Sequence, residues 1–213
     1  MITSEEGARE WLLGLPDCDS KAFARLEALV AALAEENQRQ NLVSKVSMDT
    51  VWQRHIADSA QLLGLARDQL LSPWLDLGTG AGFPGLVIAT LRPDWQVTLV
   101  ESRPLRTEWL MRMRNELELD GVSVVTSRIE HLETVPVAAI SARAFAPLDR
   151  LLDLSARFST NDTVWLLPKG RSAQHELFAL QGWHHMFHVE QSLTDSDAGI
   201  VTGKLLGRKG RRS

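Results

Sequence analysis

The stretch "WLDLGTGAGFPG", residues 74–85, carries four glycines and a proline behind a short apolar run that holds one aspartate. Residues 74–78 have the length and character of a buried strand. Gly78, Gly80 and Gly82 then let the backbone turn tightly and approach a ligand without a Cβ in the way. Their spacing is G-x-G-x-G. A dinucleotide fingerprint needs G-x-G-x-x-G, and Phe83 stands where its third glycine would be. No Gly-Lys-Ser/Thr follows, which excludes a Walker loop. The loop does not read as a pyrophosphate cradle.

Outward from this stretch the chain alternates strands with helices. Apolar runs at 96–101, 122–127, 138–144 and 163–168 read as strands, and 85–91, 104–118, 147–158 and 171–181 as helices. The stretches "HHMFHVEQ" and "GIVTGKLLG" close the set as an antiparallel pair. This pattern predicts an α/β fold with a mostly parallel sheet of seven strands and helices on both faces. Upstream, residues 4–13, 20–40 and 49–66 read as helices. In the second, Ser20 or Asp19 serves as cap, and Phe23, Leu26, Leu29, Val30 and Leu33 recur at helical spacing. The expected organisation is an N-terminal helical cap over 1–70 fused to an α/β body over 71–213.

Composition narrows the classes. With 213 residues and 44% apolar content the chain can bury a core without staples. The single cysteine, Cys18, excludes an intramolecular disulfide and makes a structural zinc site implausible, so no metal is expected. The N-terminus is charged from its fifth residue and no uncharged run spans a bilayer, so a cytoplasmic protein without a membrane partner is expected. The formal net charge is −4, but it is unevenly spread. Residues 1–36 hold eight acids against three bases, whereas "KLLGRKGRRS" at 204–213 holds five bases and no acid.

The second strand ends in Glu101, nineteen residues past Gly82. A carboxylate there can accept both hydroxyls of a ribose. A nucleoside without a phosphate clamp fits S-adenosylmethionine, whose carboxylate suits the open N–H groups of a glycine loop.

"DLGTGAGFPG" followed by "VTLVES" resembles the RsmG (GidB) family of bacterial 16S rRNA guanine-N7 methyltransferases. So do "NLVS" at 41–44, "RHIADS" at 54–59, "SRIEHL" at 127–132, "SARAFAPL" at 141–148 and "LPKG" at 167–170. The resemblance implies a class I (Rossmann-like) methyltransferase fold, S-adenosyl-L-methionine as cofactor, and 16S rRNA or the small ribosomal subunit as partner of a monomer. By position it implies that Gly78, Phe83, Ile129, Glu130 and Arg143 touch the cofactor, beside Glu101. Phe83 would wall the ligand, and a backbone N–H near Ile129 and Glu130 would meet adenine. The family places a lysine after the second-strand acid. Here Leu105 stands in that place, with Arg106, or Arg103, as substitute.

Guanine N7 has a lone pair and no proton, so its methylation needs no general base. Alignment and electrostatics then carry the reaction, and no catalytic side chain beyond Arg143 is singled out. Arg143 suits guanine O6 or a phosphate. Arg106, Arg128, Lys169 and Arg208 are the further RNA-binding candidates. Arg54 and Asp58 lie four apart on a helix, where an ion pair is expected. A methyltransferase acting on a small molecule or a protein is the alternative reading.

Overall fold

The structure, a computed structural model, describes residues 1–65 and 70–210. The last residue of the helix expected over 49–66 lies outside these, as do Arg211 and Arg212 of the basic tail.

The chain opens with the helices α1 (Glu5–Leu13), α2 (Ser20–Glu36) and the short α3 (Lys45–Met48). Asp19, not Ser20, caps α2, its side chain accepting from Ala22 N at 2.7 Å. Leu26, Leu29 and Leu33 are fully buried on one stripe of α2, each worth roughly 1.5–3 kcal/mol. A π-helix at Trp52–Ala57 leads directly into α4 (Asp58–Gly64). There follow β1 (Trp74–Leu77), α5 (Gly85–Leu91), β2 (Val97–Glu101), α6 (Pro104–Glu116) and β3 (Val122–Thr126). A 3₁₀ turn at Ile129–His131 precedes β4 (Ala139–Ser141), α7 (Leu148–Ser155), β5 (Val164–Gly170) and α8 (Ala173–Ala179). The chain closes with β6 (Trp183–His185), β7 (His188–Gln191) and β8 (Gly199–Arg208).

The sheet order is β3-β2-β1-β4-β5-β8-β6, with β7 also paired to β8. β1 to β5 run parallel and β8 is antiparallel to β5. The sheet therefore has eight strands. The segment expected as one closing strand divides at Met186 and Phe187, because β8 is long enough to pair with β7 along one half and β6 along the other. Strand β4 is shorter than the expected 138–144: after Ser141 the chain leaves the sheet.

Side chains alternate across the sheet as a pleat requires. Trp74, Val97, Leu99, Ala139 and Leu166 join the cluster that includes α2, α5 and α6, while Leu75, Leu77, Val100, Ile140 and Trp165 join the one that includes α7. The N-terminal helices thus share a core with one face of the sheet.

One member of this alternation is charged. Asp76 is fully buried, and its Oδ2 accepts from Gly85 N at 3.0 Å while its Oδ1 accepts from Ser141 Oγ at 2.6 Å. Ser141 Oγ in turn accepts from Trp74 Nε1 at 2.8 Å. Burial pushes the Asp76 carboxyl above the usual range, opposed by those hydrogen bonds and by the charge of Arg143. Asp76 thereby ties the far end of the glycine loop and the end of β4 to β1. Gly85 permits this approach, since a Cβ there would lie 2.9 Å from Asp76 Oδ2.

Replacing Asp76 by Asn turns one acceptor into a donor facing Gly85 N–H or Ser141 Oγ–H. The Asp76→Asn variant is expected to lose about 1–3 kcal/mol, read as a lower urea midpoint with an unchanged m-value.

Candidate functional site

The strand order reverses between β1 and β4, and ligands in open α/β sheets bind beyond the carboxyl ends of the strands at such a point. Two cavities lie there, of about 500 and 760 Å³, and both are walled by Ala144–Pro147.

The first cavity is bordered by Gly78, Glu101, Arg106, Arg128, Ile129 and Glu130, six of the sequence-predicted site residues. Glu101 is 6% exposed. Its Oε1 accepts from Ser102 N at 2.7 Å and Arg103 N at 2.9 Å, and its Oε2 faces Arg106 at 3.6 Å. Arg106 therefore stands beside the carboxylate, whereas Leu105 is 64% exposed. In the turn at Ile129–His131 the first hydrogen bond runs from His131 N to Arg128 O. The N–H groups of Ile129 and Glu130 have no partner within it, which leaves donors at the cavity edge. Gly78 adopts φ +64°, and a Cβ there would overlap the ring of Phe145.

Phe83 borders neither cavity. It is 2% exposed and stacks on the His55 ring with centroids 5.0 Å apart. The Arg143 guanidinium lies 5.3 Å from its centroid. Phe83 is thus a floor beneath a polar pair.

Arg143, with His55, Arg54, Asp58 and Lys169, borders the second cavity. Its guanidinium meets His55 Nδ1 at 2.9 Å, Arg54 O at 3.2 Å and Asp58 Oδ2 at 3.5 Å. Since guanidinium only donates, Nδ1 accepts and the imidazole proton sits on Nε2. Nε2 is buried and has no hydrogen-bond partner among the described residues. Burial, then the charges of Arg143 and Arg54, lower the His55 pKa to about 3, so the ring is neutral.

Arg54 and Asp58 do not pair with each other. The π-helix winds i→i+5, so residues four apart no longer stack. Arg54 instead reaches Asp195 at 2.9 Å, and Asp58 holds Arg143 and accepts from Thr194 Oγ1 at 2.9 Å. Lys169, with a side chain 7% exposed, pairs with Glu176 at 3.0 Å and donates to Ala146 O at 2.5 Å. Arg208 borders neither cavity; it pairs with Asp153 and covers the Trp183 ring at 4.5 Å.

Sequence reasoning placed the loop and Glu101 but did not single out Asp76 or Phe145. An aspartate at an inward position of a buried strand was the available signal for the first. The second had none, because its place depends on the left-handed turn at Ala144, φ +51°.

Residues 22–197 match the family described as rRNA small subunit methyltransferase G. The chain is 59% identical over 210 residues to the ribosomal RNA small subunit methyltransferase G of Novosphingobium aromaticivorans, covering 98% of this chain and 91% of that protein. It is 55% identical over 206 residues to the protein of the same name from Erythrobacter litoralis, covering 96% and 98%. A solved methyltransferase from Geobacter sulfurreducens superposes with a TM-score of 0.59 at 15% identity, covering 97% of this chain and 98% of that one. The fold is the expected class I methyltransferase fold.

The depressed pKa of His55 has a thermodynamic consequence. Between about pH 6.5 and 3 the unfolded chain binds a proton at this residue that the folded chain does not. Its contribution is therefore complete above pH 6.5 and fades as pH falls, by up to about 1.4 kcal/mol per unit. Urea titrations at pH 7, 6 and 5 should show the wild type losing stability more steeply than His55→Gln. Parallel pH profiles would place His55 in water.

Proposed function

The chain belongs to the rRNA small subunit methyltransferase G family, and we propose that the atom it methylates is N7 of one guanine in 16S rRNA. Membership makes it an S-adenosylmethionine-dependent methyltransferase of ribosomal RNA. Its substrate is the 16S rRNA or the small subunit that contains it, and it acts as a monomer in the cytoplasm. No helix among the described residues is long and apolar enough to cross a membrane.

The first cavity suits the cofactor. Glu101 Oε2 is placed to accept ribose hydroxyls once Arg106 turns aside, and the N–H groups at Ile129 and Glu130 suit an adenine edge. Gly78 takes the left-handed turn after β1 at the border of this cavity and leaves room for the Phe145 ring. Arg143 and Phe83 act from behind, one as a charge bordering the second cavity and the other as its support. When bound, the cofactor supplies an electrophilic methyl group on a sulfonium.

The observation that carries N7 is the engagement of every base at the second cavity. His55 Nδ1 is occupied by Arg143. Asp58 is held by Arg143, Gln61 and Thr194, and Asp195 by Arg54 and Asp197 N. Glu176 is held by Lys169, Ser172 and Leu148 N, which keep its carboxyl below the usual range against the opposing effect of burial. N7 has no proton to lose, so its methylation asks nothing of these engaged groups. What the chain supplies is alignment, which can lower a barrier by roughly 7 kcal/mol. Arg128 and Arg106 at the rim of the first cavity are the cations assigned to RNA, whereas Lys169 is buried against Glu176 and Arg208 lies away from both cavities.

Isolated small subunits lacking the modification should accept label from S-adenosylmethionine. Cleavage specific for 7-methylguanine should then map it to a single guanine. Label on a protein, a small molecule or another base atom would overturn this reading. Affinity for rRNA fragments should also fall steeply with salt.

A further inference from the structure

The wall between the two cavities holds one aromatic ring, and Phe145 borders both sides. Its position is tightly set. Gly78 makes room for it, since any Cβ there would overlap the ring. The preceding Ala144 takes a left-handed φ of +51°, a conformation an alanine adopts at a cost of about 1–2 kcal/mol. Beyond the ring, Lys169 donates to Ala146 O at 2.5 Å and Glu176 accepts from Leu148 N at 2.7 Å. A backbone pinned this firmly around a half-buried phenylalanine is costly as mere filling.

The second cavity has its own electrostatic character. Three cation–carboxylate pairs border it: Arg54–Asp195, Arg143–Asp58 and Lys169–Glu176. Their formal charges cancel, so a neutral heterocycle enters a cavity whose bordering side chains carry no net charge. Methyl transfer to a purine N7 forms an N–C bond as the C–S bond breaks. The sulfur keeps the electron pair and becomes a neutral thioether, and the positive charge passes to the purine. No proton moves in that step. An aromatic face against the purine attracts the cation more than the neutral base, so its effect grows toward the transition state.

We propose that Phe145 is the surface on which the acceptor guanine stacks in the second cavity, turning N7 toward the first. This inference rests on the guanine-N7 reading. Base–aromatic stacking is sequence-tolerant and sensitive to loss of the ring rather than of volume.

The test compares Phe145→Tyr, Phe145→Leu and Phe145→Ala in the full chain, with unmodified small subunits as substrate. S-adenosylhomocysteine binding is measured in parallel by calorimetry. Tyrosine should keep kcat/KM for the subunit within threefold. Leucine, which preserves apolar volume, and alanine should lose roughly 5- to 150-fold, the range of stacking losses on truncation. S-adenosylhomocysteine affinity should stay within threefold throughout. A leucine variant as active as wild type would reduce Phe145 to packing and overturn the proposal. So would tyrosine losing as much as leucine, or cofactor affinity falling in step with activity, which would assign the ring to the first cavity. If the wild type labels something other than guanine N7, the underlying reading fails; if it labels guanine and leucine suffices, only the stacking role fails.

Discussion

A single buried carboxylate organises the functional end of this sheet. Asp76 sits at an inward position of β1, where the pleat otherwise places apolar side chains, and it takes up the first N–H of α5 and the hydroxyl of Ser141. That acceptor adds a side-chain tie between β1, the first turn of α5 and the end of β4 to the backbone bonds already there. A buried carboxyl held by neutral donors and a distant guanidinium is an expensive arrangement. It is balanced because Gly85 N–H and the Ser141 hydroxyl would themselves lose their acceptor without it.

Much of the fold was legible because it rests on local periodicity. The strands alternate, the helices repeat at their own spacing, and a turn rich in glycine follows the first strand. Glu101 could be placed at the first cavity for the same reason: a strand end has a known position relative to the strand before it. The second cavity was not legible. Its contacts join residues 88 apart for Arg143 and His55 and 136 apart for Asp58 and Thr194, and no periodicity encodes such meetings. The π-helix removed the expected Arg54–Asp58 pair by changing the winding, which helical spacing alone does not reveal. Phe83 reads in sequence as part of the binding loop; in the fold it supports His55 from the core. Lys169 reads as a surface cation near a strand end, and the fold buries it against the wall of both cavities.

The two cavities divide the chemistry between them. The first concentrates unsatisfied donors and a carboxylate at the switch point, as suits a nucleoside. The second balances each cation with an acid, as the proposed heterocyclic acceptor requires. The wall between them is held from the β5–α8 side through Lys169 and Glu176, and from the β1 side through Gly78.

The π-helix that carries Arg54 and His55 is fastened to the stretch around residues 192–195, through Gln53 to Thr194 O, Arg54 to Asp195 and Asp58 to Thr194. These partners emerge from synthesis more than 130 residues later than the helix they hold. At translation speeds of about 5–20 residues per second, that is a gap of several seconds or more. Throughout it the nascent polypeptide can build the early strands and bury Asp76, yet it lacks the clasp that shapes the second cavity. The second cavity thus takes its final form only once residues 192–195 have been made.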